Sequence, residues 1–144
     1  MANAVYPLFK DAAYSGSANV DLTVNTTTNG PYVALIDTGT YTYSAAHDFW
    51  SDVTTIGGIV GTPGRIATPT MGSVAAGTFD GDNVTFSAVT TPTSIEALIV
   101  YRNTGTATTS RLVLYEDTGV TGLPVTPNGG DITVTWNASG IIAF

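Results

Sequence analysis

Short alternations of apolar and polar residues, each closed by a turn sequence, recur along most of this chain. Ile132, Val134 and Trp136 alternate with Thr133 and Thr135, and Val84, Phe86 and Ala88 alternate with Thr85 and Ser87. Val20, Leu22 and Val24 do the same with Asp21 and Thr23. A period of two sends neighbouring side chains to opposite faces, so each run predicts a strand with one buried face. Thr suits the outward positions, because a β-branched polar side chain fits a pleated solvent face. The continuous apolar run at residues 32–36 predicts a central strand covered on both faces.

Turn residues set the order of the remaining elements. Residues 95–102 and 112–116 flank an Asn-Thr-Gly loop and read as a hairpin. Residues 73–79 and 84–89 flank Asp80-Gly81-Asp82-Asn83, a tight-turn sequence. Residues 25–31 form a polar turn segment around Asn29-Gly30. Residues 65–71 read as an edge strand, since Pro69 removes a ladder donor, and residues 141–144 as a short last strand. The glycine-rich stretch 56–64 reads as a loop.

Two short helices are expected. One lies within residues 5–14, with Pro7 in its first turn and Gly16 beyond its end. The other covers residues 45–53, N-capped by Ser44, with Phe49, Trp50 and Val53 toward the sheet and Asp48 and Asp52 outward. Many short strands with turns between them imply an all-β chain. The expected fold is a single-domain antiparallel β-sandwich, jelly-roll-like or barrel-like, with one or two short helices. It spans residues 1–144, with residues 1–16 a possible docking arm.

Composition narrows the chemistry. The chain of 144 residues has no Cys, one His and a net charge of −7. A domain of this length folds on its own core without disulfides or metal, and thiolate sites are excluded. Lys10, Arg65, Arg102 and Arg111 are the only basic side chains. Nucleic-acid binding needs clustered cations to neutralise phosphates, so no nucleic acid is expected, and an anionic membrane is disfavoured for the same reason. The first ten residues lack the basic and apolar regions of a signal peptide, and no apolar run is long enough to span a bilayer.

Asp80 and Asp82 have the spacing of a weak ion site, but Val84 stands where the EF-hand pattern needs another ligand, so a structural turn is the simpler reading. His47 beside Asp48 and Asp52 has no second His to build a zinc set, and no Gly-x-Ser-x-Gly elbow supplies a nucleophile. Glu96, Glu116 and Asp117 are the best carboxylates for glycoside hydrolysis. Glu96 and Glu116 are expected to face each other across the hairpin, flanked by Arg102 and Arg111, as a surface ion-pair array. No catalytic residue, metal or cofactor is expected. The long loop 117–130, with Leu123, Pro124, Val125 and Pro127, and the aromatic-rich start, with Tyr6, Leu8 and Phe9, are the candidate interface segments. The start either closes one end of the sandwich or docks on a neighbouring subunit.

Three stretches resemble a family of small tailed-phage virion proteins. They are Ala2-Asn-Ala-Val-Tyr-Pro-Leu-Phe-Lys10, then residues 33–53, and then residues 86–137 with Glu96-Ala-Leu-Ile-Val-Tyr101 and Gly122-Leu-Pro-Val-Thr-Pro-Asn-Gly-Gly-Asp-Ile-Thr-Val-Thr-Trp-Asn137. In order they span nearly the whole chain. The chain departs from the family pattern at its end, where members carry a basic, Asn-rich strand and this sequence reads Ala138-Ser-Gly-Ile-Ile-Ala-Phe144. The resemblance implies a non-enzymatic virion structural protein, made in the host cytoplasm and located on the particle. Head decoration (cement) is the expected role, with the major capsid protein or other virion subunits as partners and homo-oligomerisation on the particle. A tail, baseplate or fibre module, with glycan binding as one form, is the alternative.

Overall fold

The apolar runs of the sequence become the middle of one sheet. In the computed structural model, which describes residues 3–90 and 93–144, the elements in chain order are β1 (Ala4–Val5), α1 (Pro7–Tyr14), β2 (Gly30–Ile36), α2 (Trp50–Ile56), β3 (Ile59–Arg65) and β4 (Thr70–Met71). They continue with β5 (Thr78–Asp80), β6 (Val84–Phe86), β7 (Ala97–Asn103), β8 (Arg111–Glu116), β9 (Ile132–Val134) and β10 (Ile142–Ala143). The main sheet has five strands in the order β1-β8-β7-β2-β3, all neighbours antiparallel. A three-stranded sheet, β10-β5-β4, and a two-stranded ribbon, β6-β9, complete the set.

Register assigns the faces. On one face of the main sheet Tyr32 sits opposite Tyr101, Ala34 opposite Ile99 and Ile36 opposite Ala97. On the other, Val33 opposes Val100 and Leu35 opposes Leu98. Every residue from 97 to 102 is buried, as expected for a central strand covered on both sides. Helix α2 covers the first face through Trp50, which stacks on Tyr101. The ribbon covers the second at β3. Gly64 pairs with Val33, and a Cβ there would lie 2.4 Å from Val84 Cγ1. One continuous core joins Phe79 of β5, Val84 and Phe86 of β6, and the main-sheet strands. The chain is therefore an antiparallel all-β fold with two short helices, as expected.

Local expectations needed correction where side chains or partners outweighed the periodic pattern. Residues 20–24 form no strand. Asp21 Oδ1 accepts from Thr23 N at 2.8 Å and from Thr23 Oγ1 at 2.7 Å, a local turn that competes with ladder formation. Leu22 is still buried. The second helix begins at Trp50 rather than near residue 45. Ser44 Oγ accepts from Ala46 N in a separate turn, while Asp52, expected outward, bends back to accept from Asp48 N at 2.9 Å and Phe49 N at 3.0 Å. That satisfies donors near the helix start that have no intrahelical partner. Asp48, also expected outward, pairs with Arg111 at 2.7 Å.

The stretch 56–64 contains strand β3, not only a loop. Its pattern was masked because residues 61–63 bulge out opposite Ala34, between the Val33–Gly64 and Leu35–Val60 pairs. The expected strand over 65–71 shrinks to β4 at Thr70–Met71. The tight turn expected between β5 and β6 does not pair them: β5 pairs with β4 and β10, and β6 with β9. At Gly81 the chain passes so close to Ile66 that a Cβ would lie 2.4 Å from its Cγ2, and Asp82 N donates to Ala67 O. The Asp-Gly-Asp-Asn sequence thus carries the chain from one sheet to another. The 95–116 hairpin (β7–β8) and the last short strand (β10) agree with the sequence reading.

Candidate functional site

An apolar opening lies between α1, the segment 20–22 and the β10–β4 sheet. Residues 10, 13 and 14 share one face of a helix, since positions three and four apart are neighbours. Here Lys10, Ala13 and Tyr14 form one wall, and Met71 and Phe144 face it across a groove of about 450 Å³ floored by Leu22. Phe144 is tied to the Phe9 side of α1 by a ring contact of 6.2 Å, and its N donates to Gly77 O at 2.9 Å. Tyr14 is 89% exposed, Phe144 50% and Met71 46%. Only two charged side chains line the groove, Lys10 and Asp21. Hydrogen bonds from Thr23 hold the Asp21 carboxyl below the usual carboxylate range.

The seven residues singled out as interface candidates sit differently. Tyr6 is fully buried and Phe9 nearly so, which corrects the docking-arm expectation: both are core in the single chain. The physical reason is β1, which pairs with β8 and delivers Tyr6 to the sheet, where Tyr6 N donates to Val113 O at 2.9 Å. Leu8 is half-buried. Leu123, Val125 and Pro127 are half-buried and Pro124 is exposed. The loop 117–130 is held to the body at several points. Val125 and Ile95 exchange both backbone hydrogen bonds, at 2.8 and 3.0 Å, and Asn3 Oδ1 accepts from Asp117 N and Thr118 N. Of the aromatic start, Tyr14 is the side chain that faces solvent. Tyr14 belongs to that suspected aromatic segment, whereas Met71 and Phe144 were missed because three distant segments must meet before they form a surface. The helical spacing of residues 10, 13 and 14 was the one local signal.

His47 belongs to a buried polar chain. Its Nδ1 lies 2.8 Å from Tyr41 Oη, which lies 2.9 Å from Tyr6 Oη. Burial, followed by the hydrogen bond that Tyr6 donates to Tyr41, pushes the Tyr6 phenol far above its ordinary range, and burial also raises Tyr41. Tyr43 and Tyr115 pack around them, with ring centroids 5.3 Å apart. Both phenols stay protonated at neutral pH, so the chain holds the loop between β2 and α2 against the sheet.

The acidic candidates do not converge. Glu116 opposes Leu98 across the hairpin, whereas Glu96 lies before β7 and its Oε2 accepts from Thr38 N at 2.9 Å. Their expected face-to-face pairing is thus corrected. Arg102 and Arg111 pair in register at the far end of the hairpin, so they do not flank the two acids. Burial raises the Glu116 carboxyl, which borders a polar cleft of about 260 Å³ shared with Trp136 and Asn137. Trp136 N donates to Asn83 Oδ1 and its Nε1 donates to Asp82 O, which ties the 80–83 turn to the end of β9. Among the described residues no three His, Asp or Glu side chains are grouped to hold a metal ion, and no helix is long and apolar enough to cross a membrane. Compared with known proteins, the chain matches no family model, no curated relative and no solved structure.

Proposed function

We propose that this chain is a structural protein of a tailed-phage particle, a head decoration protein that binds the assembled capsid. Two supports carry the reading: the likeness of three sequence stretches to small virion proteins, and a groove that the fold leaves apolar and uncovered, as suits a subunit that packs into a larger assembly of protein copies. Large exposed apolar patches mark sites where another surface docks. Tyr14, Met71 and Phe144 concentrate such area on one side of a chain with only 10% charged residues. A ligand that binds only the assembled shell stabilises it by mass action, so no bond need be made or broken. An acidic protein is also better placed outside the shell than beside packaged DNA.

The test is co-sedimentation of the purified protein with phage heads that lack it, followed by a count of bound copies. Saturable binding at a copy number matching the capsomers supports the reading, and no binding to intact heads refutes it. The alternative is a tail, baseplate or fibre module, favoured by the cleft in which Trp136, Glu116 and Asn137 meet. Aromatic faces with polar neighbours suit sugar rings. About six or twelve copies per particle would indicate that station, and a glycan-array signal would locate the sugar.

A further inference from the structure

We propose that the groove between α1 and the β10–β4 sheet is covered by a second copy of this chain, related by a two-fold axis passing near Ala13. The inference deepens the particle reading and rests on the same groove, which it assigns to a copy of the chain itself.

Charge selects the occupant. The chain has eleven acidic and four basic side chains, so two copies repel over most of their surfaces. At the groove the side-chain charges balance, with one acid, Asp21, and one base, Lys10. The other cations are engaged within the chain. Arg111 pairs with Asp48, Arg65 donates to Asn25 Oδ1, and Arg102 is buried and donates to Asp21 O and Asn29 Oδ1. Lys10 is exposed and makes no ion pair among the described residues. Asp21 spends Oδ1 on Thr23, leaving Oδ2 for a partner.

A patch with one cation, one anion and an apolar floor is self-complementary. In a two-fold contact, if residue i meets residue j of the partner, then j meets i. Lys10 of each copy would meet Asp21 of the other, giving two ion pairs from one geometry. The small Ala13 lets the two helices approach. Tyr14, 89% exposed on its own chain, would then enter the partner's groove between Met71 and Phe144. Tyr is among the residues that dominate binding energy when buried at the centre of an interface.

Sedimentation equilibrium over a range of protein concentrations tests this. The wild-type chain should form a dimer that dissociates on dilution. Tyr14→Glu and Lys10→Glu should each weaken it by about tenfold or more, with circular dichroism confirming an intact fold. Lys10→Glu combined with Asp21→Lys should restore the dimer. A wild-type chain that is monomeric at every concentration overturns the proposal. So does a dimer indifferent to both single substitutions, or a double swap that keeps the wild-type circular dichroism and still fails to recover. A monomer that still co-sediments with heads would overturn this inference alone, whereas a dimer that ignores heads would overturn the particle reading alone.

Discussion

The indole of Trp50 lies flat on the ring of Tyr101, with centroids 4.1 Å apart and planes 5° from parallel. The contact joins the first residue of α2 to the central strand of the main sheet, and Tyr32 flanks it from β2 with its ring 5.9 Å from Tyr101. A stacked aromatic pair adds to area burial, so this contact, with the buried Val53, anchors a helix only seven residues long. Trp50→Ala should destabilise the fold by about 3–5 kcal/mol, as buried aromatic truncations do. Urea unfolding checks it. A loss below about 1 kcal/mol would mean that α2 is surface-docked.

Removing hydroxyls from the buried tyrosine chain should have graded effects. Tyr41→Phe strips both Tyr6 and His47 of their partner and leaves a fully buried Tyr6 hydroxyl unsatisfied, at about 1–3 kcal/mol. Tyr6→Phe leaves Tyr41 able to donate to His47, so its loss should be nearer 1 kcal/mol. Equal losses in chemical denaturation would contradict that order.

The same burial sets an alkaline limit. Tyr115 is pushed up to about 12, first by burial and then by the nearby Asp117 charge, and burial also raises Tyr6, Tyr41 and Tyr101. A phenol whose folded value is raised holds its proton more tightly in the fold. Its contribution is complete below the unfolded value near 10 and disappears as pH rises toward the folded one. Stability measured by thermal unfolding should therefore fall above about pH 10, together with growth of tyrosinate absorbance.

Glu116 works in the opposite sense to a paired acid. Burial raises its carboxyl, so its contribution is present at low pH and is lost as pH rises through the folded value. Glu116→Gln should raise the thermal midpoint at pH 7 and leave it unchanged near pH 3. An unchanged midpoint at both pH values would show that the side chain is fully solvated.

Gly64 is required by packing rather than by its backbone angle. A Cβ there meets Val84 Cγ1 at 2.4 Å, with Phe86 Cζ behind at 3.6 Å. Gly64→Ala should push the β6–β9 ribbon from the main sheet at about 1–3 kcal/mol, the range of overpacking. Gly61→Ala has open space and only a left-handed angle of +69° to resist it, so it should cost about 1 kcal/mol. Removing residues 3–9 takes Tyr6 and Phe9 from the core, so loss of the cooperative unfolding transition is the expected result, read by circular dichroism.

Local pattern located the strands, by alternation at residues 84–86 and 132–134, by a continuous apolar run at 32–36 and by the flanking turn at 97–102, and Pro7 marked the first helix, because these signals are properties of neighbouring residues. The β7–β8 hairpin was equally legible, since a short loop leaves little choice of partner. Other pairings were decided by the tertiary structure. A two-residue period says which side of a strand is buried and nothing about what lies against it, so β5 and β6 were read as partners although each is claimed by another strand. β3 was invisible because its bulge breaks the alternation, and the 20–24 run misled because Asp21 bonds its own backbone neighbourhood more favourably than a ladder. The groove was the least legible feature. Its walls come from residues 10–14, 20–22, 71 and 144, and only the closure of the fold brings side chains so far apart in the chain onto one surface.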